Sequence, residues 1–361
     1  MNYEQFLEQM KEDLEARFVA DLPPEYSDVR IGIRDVEKLQ GESYRGLSFR
    51  SGDSPVEANL NLTGAFQAYE AGRPFEDILK EVEVQLMKVV DRTPQFNVGE
   101  LSNYEAMKPK LMMEVIPQKW NEDRLENIPH QKVEDMALIY RLDMGESSGG
   151  KMSSVITNQQ LEAFGISAEQ LHQDALENAP VTHPASLHSM QEVMAEMMGM
   201  EPEEAMPGEP NMLVATVEGG FMGASVIQYP GFMEQAAEKI GGDFFVLPSS
   251  IHEVLIIPDD GKSDFHELEA MVQSINETQV APAERLSDNV YHYDKADRVF
   301  ELADKTASRK LSQEMEKKAA ARVGAEKKPS ILEQLGEKKK EAMDHAPKAK
   351  APGRAVPEAA L

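Results

Sequence analysis

Cysteine is absent from this chain of 361 residues. That excludes disulfides, thiol nucleophiles and every zinc or iron–sulfur site built on thiolates. Aromatic residues are scarce, at 6% of the chain, so a core has to be assembled mainly from Leu, Ile, Val and Met. No apolar run reaches the roughly 18 residues that a membrane-spanning helix needs. The first residues, MNYEQFLEQMKEDLE, have neither the basic start nor the apolar block of a secretory signal. These absences predict a cytoplasmic protein.

Positive charge is scarce too, and unevenly placed. The chain holds 37 basic and 64 acidic residues, yet residues 305–361 hold 14 basic against 8 acidic. The first 304 residues therefore carry 23 against 56, and a body that acidic repels phosphate backbones. Nucleic-acid binding, if present, is expected only through the basic tail. From about Thr306 the chain becomes rich in Lys, Ala and Glu, with late prolines at Pro329, Pro347, Pro352 and Pro357. Residues 305–326 read as a solvated helix, and 327–361 as a segment too poor in apolar residues to build a core. Ser330–Leu335 is the exception, a short amphipathic stretch that could fold on a protein partner.

The body alternates strand and helix signals. Tyr3, Leu7, Met10, Leu14 and Phe18 recur at helical spacing. Strands are predicted near 28–34, 43–50 and 56–62, and helices over 63–71 and from Pro74, which suits a first helical turn. Further strands are expected at 110–116, 133–142, 152–157, 212–217, 224–229, 244–247, 254–257 and 289–293. Asn158 and Ser167 suit helix caps, and Ser263 suits the cap of a helix burying Phe265, Leu268, Met271, Val272 and Ile275. Several strand pairs are joined by turns too short for a crossover helix. The expected fold class is therefore α+β with mostly antiparallel sheets. Residues 1–100 and 101–304 read as two α+β lobes and 305–361 as the tail.

Three motifs invite chemistry. Gly145-Glu-Ser-Ser-Gly-Gly150-Lys151 approaches a phosphate loop, but Met152 stands where the magnesium-binding hydroxyl belongs and a strand follows in place of a helix. A hairpin is expected there. Gly219-Gly220-Phe221-Met222-Gly223 lacks dinucleotide-loop spacing and reads as a turn. The third motif, Leu247-Pro-Ser-Ser-Ile-His-Glu253, joins two short apolar runs. Ser249, Ser250, His252 and Glu253 are its candidate binding residues. Ser250 and His252 could share a face and, with Asp259 or Asp260, act as a hydrolytic set. No GxSxG elbow accompanies them. The structural alternative is a tight turn in which the serines satisfy backbone groups.

Seven methionines fall between Met190 and Met212. Leu187, Met190, Met194, Met197 and Met198 recur at helical spacing, which suits a core stripe or an adaptable partner surface. No histidine pair shows HExxH or another tight metal spacing, and no metal or cofactor is predicted.

Residues Tyr229-Pro-Gly231, then Asp243-Phe-Phe-Val-Leu-Pro-Ser-Ser-Ile-His-Glu-Val-Leu-Ile-Ile-Pro258, then Leu286-Ser-Asp-Asn-Val-Tyr-His-Tyr293, resemble the bacterial domain of unknown function 5688. Ile156-Thr157-Asn158, Phe164-Gly165-Ile166 and Leu171 are similar to that family's strand-helix segment. The resemblance covers roughly residues 1–304. It implies a shared α+β fold, a bacterial source, frequent proximity to mobile elements, and no known reaction or catalytic residue. Three functions stay open: a binding or accessory protein, a hydrolase using Ser250 and His252, and a nucleic-acid accessory protein acting through the tail.

Overall fold

Three antiparallel sheets organise the protein in a computed structural model that describes residues 1–21, 29–36, 43–51, 57–92, 102–147, 150–201 and 212–326, with the single positions 338 and 340. The chain divides into two units, Met1–Ala303 and Asp304–Leu361. Among the described residues no helix is long and apolar enough to cross a membrane.

The first sheet is built from β1 (Val29–Val36), β2 (Tyr44–Ser51) and β3 (Ala58–Leu60), in that order. Helices α1 (Tyr3–Asp21), α2 (Thr63–Glu70) and α3 (Phe75–Arg92) accompany it. Phe6, Leu7, Met10 and Leu14 of α1 share a core with Leu47 and Phe49 of β2 and Ile78, Leu79, Val82 and Leu86 of α3. Helical spacing on two helices thus buries one stripe from each against the sheet.

The second sheet follows a short helical turn, α4 (Tyr104–Met107), and a second one, α5 (Glu122–Leu125), lies between its first two strands. Its strands are β4 (Leu111–Pro117), β5 (His130–Val133), β6 (Met136–Ser147) and β7 (Gly150–Val155). β6 pairs with β4 along one edge and with β5 and then β7 along the other. The phosphate-loop lookalike is thus the β6–β7 hairpin. Helices α6 (Asn158–Phe164) and α7 (Ala168–Thr182) come next.

The third sheet has six strands: β8 (Ala185–Ser189), β9 (Leu213–Val217), β10 (Phe244–Pro248), β11 (Val254–Pro258), β12 (Tyr291–Asp294) and β13 (Val299–Leu302), in the spatial order β13-β12-β10-β11-β9-β8. Helix α8 (Met190–Met198) follows β8, α9 (Phe232–Ile240) precedes β10, α10 (Phe265–Thr278) follows β11, and α11 (Ala303–Glu326) closes the described chain. β10 is buried on both faces. Phe244 and Val246 join the main core with Leu138 and Tyr140 of β6, while Phe245 and Leu247 pack with Val272 of α10 and with Val290. Side chains alternate across a strand, so an uninterrupted apolar run is what a doubly covered strand requires.

Asp135 ties the second sheet to the segment that leads into β12. It follows Glu134, which adopts φ 57° in the β5–β6 turn. Its carboxylate accepts hydrogen bonds from Tyr291 Oη at 2.5 Å, Ser287 Oγ at 2.9 Å and Asn289 Nδ2 at 3.0 Å. Burial, and then the charge of Asp135, push the Tyr291 hydroxyl well above its ordinary pKa, so this hydroxyl stays a donor.

The α+β expectation holds, and several local expectations are corrected. Residues 224–229 are not a strand: Gly223–Gln228 is a 3-10 helix. Both edges of β9 are already paired, with β8 and with β11, so no position remains for a hairpin partner. Leu187 belongs to strand β8, because Ser189 caps α8 through a capping box with Glu192. Thr157 caps α6 in place of Asn158, and Asp264 caps α10 in place of Ser263. The inner face of α10 is Phe265, Leu268, Val272 and Asn276, a stripe repeating every four residues in its last three members. Met271 and Ile275 point outward. β13 had no sequence expectation. Apart from Glu201, the acidic, Pro-rich stretch 201–210, which reads in sequence as an exposed loop, lies outside the described residues, as do Ser330–Leu335 and the rest of the distal tail.

Candidate functional site

Ser249, Ser250, His252 and Glu253 form the tight turn between β10 and β11. The turn is closed from within. Ser250 N–H donates to the Glu253 carbonyl at 3.2 Å, and Ser250 Oγ accepts from His252 N–H at 3.0 Å. Ser249 Oγ donates to Glu253 Oε1 at 3.5 Å. Ile251, buried in the main core, donates its N–H to the Glu284 carbonyl at 2.9 Å and accepts from Ala224 N–H at 3.2 Å. A turn pressed between strands must pair its own backbone groups, and this one does so with hydroxyls and neighbouring loops.

The glycine loop singled out separately in the sequence packs on that turn. Gly219, Gly220 and Met222 all adopt positive φ, Met222 at 58°. This curvature aims Met222 N–H at His252 Nδ1, 3.1 Å away. Thr216 Oγ1 donates to the His252 carbonyl at 2.7 Å. Gly223 closes the contact: a Cβ there would lie 2.0 Å from Thr216 Oγ1, 2.6 Å from the His252 carbonyl oxygen and 2.6 Å from Val217 N. Only glycine allows backbone to approach backbone that closely.

These bonds set the state of His252. An amide N–H can only donate, so Nδ1 accepts, and the neutral ring carries its hydrogen on Nε2. Nε2 lies 3.9 Å from Glu284 Oε1, and a third of the side chain is exposed. The Ser250 hydroxyl and the accepting nitrogen of His252 are each engaged with a backbone N–H. Glu114, on β4, is buried and paired with Arg141 Nη1 at 2.8 Å. Burial pushes its carboxyl upward, while the charge and hydrogen bond of Arg141 work against that rise.

Asp259 and Asp260 sit at the other end of β11, beyond Pro258. Five strand residues span roughly 16 Å at about 3.3 Å each, so the structure does not bring either aspartate to Ser250 and His252. Asp260 instead accepts from Lys262 N–H and Ser263 N–H, and the first of these bonds holds its carboxyl below the usual range. Asp259 meets two residues that the sequence reading passed over. His292 Nε2 lies 3.0 Å from Asp259 Oδ2, and one ligand atom each from Asp243, Asp259 and His292 all fall within 4.8 Å of one another. The available signal was the alternation in Tyr291-His292-Tyr293: the two tyrosines join the main core, so the histidine must face the opposite side.

A cavity of about 520 Å³ lies elsewhere, lined by Lys119, Trp120, Asn121, Arg124, Asn127 and Thr157 among others. Trp120 is the only tryptophan and is 44% exposed. The methionine stripe of α8 is not a core stripe. Met190 and Met194 are half-buried, whereas Met197 and Met198 are 78% and 59% exposed.

The class these features define is an α+β protein of three antiparallel sheets whose most distinctive motif is a backbone-satisfied turn. The chain matches a family of unknown function (DUF5688) over residues 3–295 and belongs to that family. No curated protein and no solved structure matches it.

Proposed function

We propose that this protein is a cytoplasmic bacterial binding or accessory module, and that Ser250 and His252 are not a nucleophile and base. One observation carries the reading: the Ser250 hydroxyl accepts from His252 N–H while His252 Nδ1 accepts from Met222 N–H. A general base must present a lone pair to the nucleophile's proton. Here that lone pair points at an amide. Incubating the full chain with a fluorophosphonate probe tests this. No labelling is expected, and labelling that disappears in Ser250→Ala would overturn the proposal.

Exposure of Met197 and Met198 supports α8 as the surface through which a protein partner binds. Thioether side chains on a helix adapt to varied apolar surfaces, and apolar surface left in water favours association. Carrying Met197→Glu and Met198→Glu together should release a partner that the wild-type chain retains from its host, with the circular dichroism unchanged. Equal retention would place the contact elsewhere. The basic tail supports a nucleic-acid reading in a narrower sense: DNA retention that weakens with salt and vanishes on removing residues 305–361 would favour it.

A further inference from the structure

We propose that Asp243, Asp259 and His292 bind a divalent transition-metal ion at one end of the third sheet. Asp243 immediately precedes β10, Asp259 immediately follows β11, and His292 lies on β12, the other neighbour of β10. The sheet register sets Phe244 opposite Pro258 and Phe245 opposite His292, which gathers the three residues from distant parts of the sequence.

The imidazole is the anchor. His292 is 2% exposed, with its ring edge-on to Phe245 at a centroid distance of 5.1 Å. Its Nε2 is directed at Asp259 Oδ2. The aspartates are half-buried, which leaves an approach from solvent. Backbone amides orient both carboxylates: Lys295 N–H donates to Asp243 Oδ1 at 3.0 Å and Gly261 N–H to Asp259 Oδ1 at 2.9 Å. Outer hydrogen bonds of this kind hold metal-binding carboxylates in place.

The donor set chooses the ion. One imidazole and two carboxylates, without thiolate, suit zinc, cobalt, iron(II) or manganese more than copper(I), and the nitrogen disfavours calcium and magnesium. Neighbouring donors around a tetrahedral ion are about 3.3 Å apart when each lies at about 2.0 Å. Ligand atoms within 4.8 Å reach that spacing by small side-chain rotations. Two carboxylates held close together repel each other. In a chain of net charge −27 a bound cation relieves that repulsion.

The test uses the full chain stripped with EDTA and titrated calorimetrically with zinc chloride, with cobalt(II) absorbance as a second readout. One equivalent is expected to bind, with at least tenfold weaker binding in Asp243→Asn and in Asp259→Asn. Asp260→Asn, an exposed neighbour, should bind as wild type does. Circular dichroism checks that each variant is folded. Cobalt should give a visible d–d band in the wild type that both weakened variants lose. Absence of saturable binding overturns the proposal, and so does zinc binding that the three variants share equally, which would assign it to scattered surface carboxylates. A His292–Asp259 ion pair without metal would show itself as unchanged melting temperature on adding zinc.

Discussion

The two ends of the β10–β11 hairpin are both polar, and they are polar in different ways. At the turn end, Ser250, His252 and Thr216 direct their polar atoms at backbone groups. At the open end, Asp243, Asp259 and His292 direct side chains at one another. The first arrangement closes a turn against a loop. The second gathers titratable groups from the ends of two strands and from a third strand. A serine and a histidine two residues apart therefore say less about chemistry than a histidine and two aspartates that are distant in sequence.

Gly223→Ala should have the largest effect on the turn end. The new Cβ meets two backbone atoms at 2.6 Å, which no side-chain rotation relieves. A loss of about 3 kcal/mol or more is expected in chemical denaturation, at the upper end for overpacking. A loss under about 1 kcal/mol would show that the loop and turn move apart at little cost, and the contrast between the two ends would fail.

Thr216→Val keeps the shape and deletes the donor to the His252 carbonyl. We expect about 1–2 kcal/mol, the cost of leaving a part-buried acceptor unpaired. Ser250→Ala deletes an acceptor in a half-buried position, so about 0.5–1.5 kcal/mol is expected. An increased denaturation midpoint in Ser250→Ala would sharpen the comparison the other way, since reactive sites often gain stability when their groups are removed. The smallest effect concerns the helix that covers the hairpin. Met271→Ala should change stability by less than about 0.5 kcal/mol, because Met271 is exposed on α10. A loss above about 2 kcal/mol would return Met271 to the buried face.

Much of the fold was legible before the structure. The apolar runs 244–247 and 254–257 are strands because β-branched and aromatic residues in short Pro-bounded runs have few other uses. The α1 stripe, the β6–β7 hairpin and the long tail helix followed from equally local signals. Residues 224–229 misled because Val226 and Ile227 are apolar enough for a strand, while the edges of β9 were taken by strands distant in sequence. Methionine spacing on α8 misled for a related reason: a helical period states that one face differs from the other, not that something covers it.

The sequence by itself determined most helices and strands of the body, the α+β class, the acidic composition and the exclusion of thiol chemistry, because each depends on composition or on residues within a few positions of one another. Tertiary structure alone decided which polar residues meet. Ser250 and Asp259 are close in the chain and are separated by the length of β11, whereas Asp243 and His292 are far apart in the chain and are joined across β10 and β12. Sheet register sets those distances, and the register that joins Asp243 to His292 depends on β10 meeting β12, a strand distant in sequence.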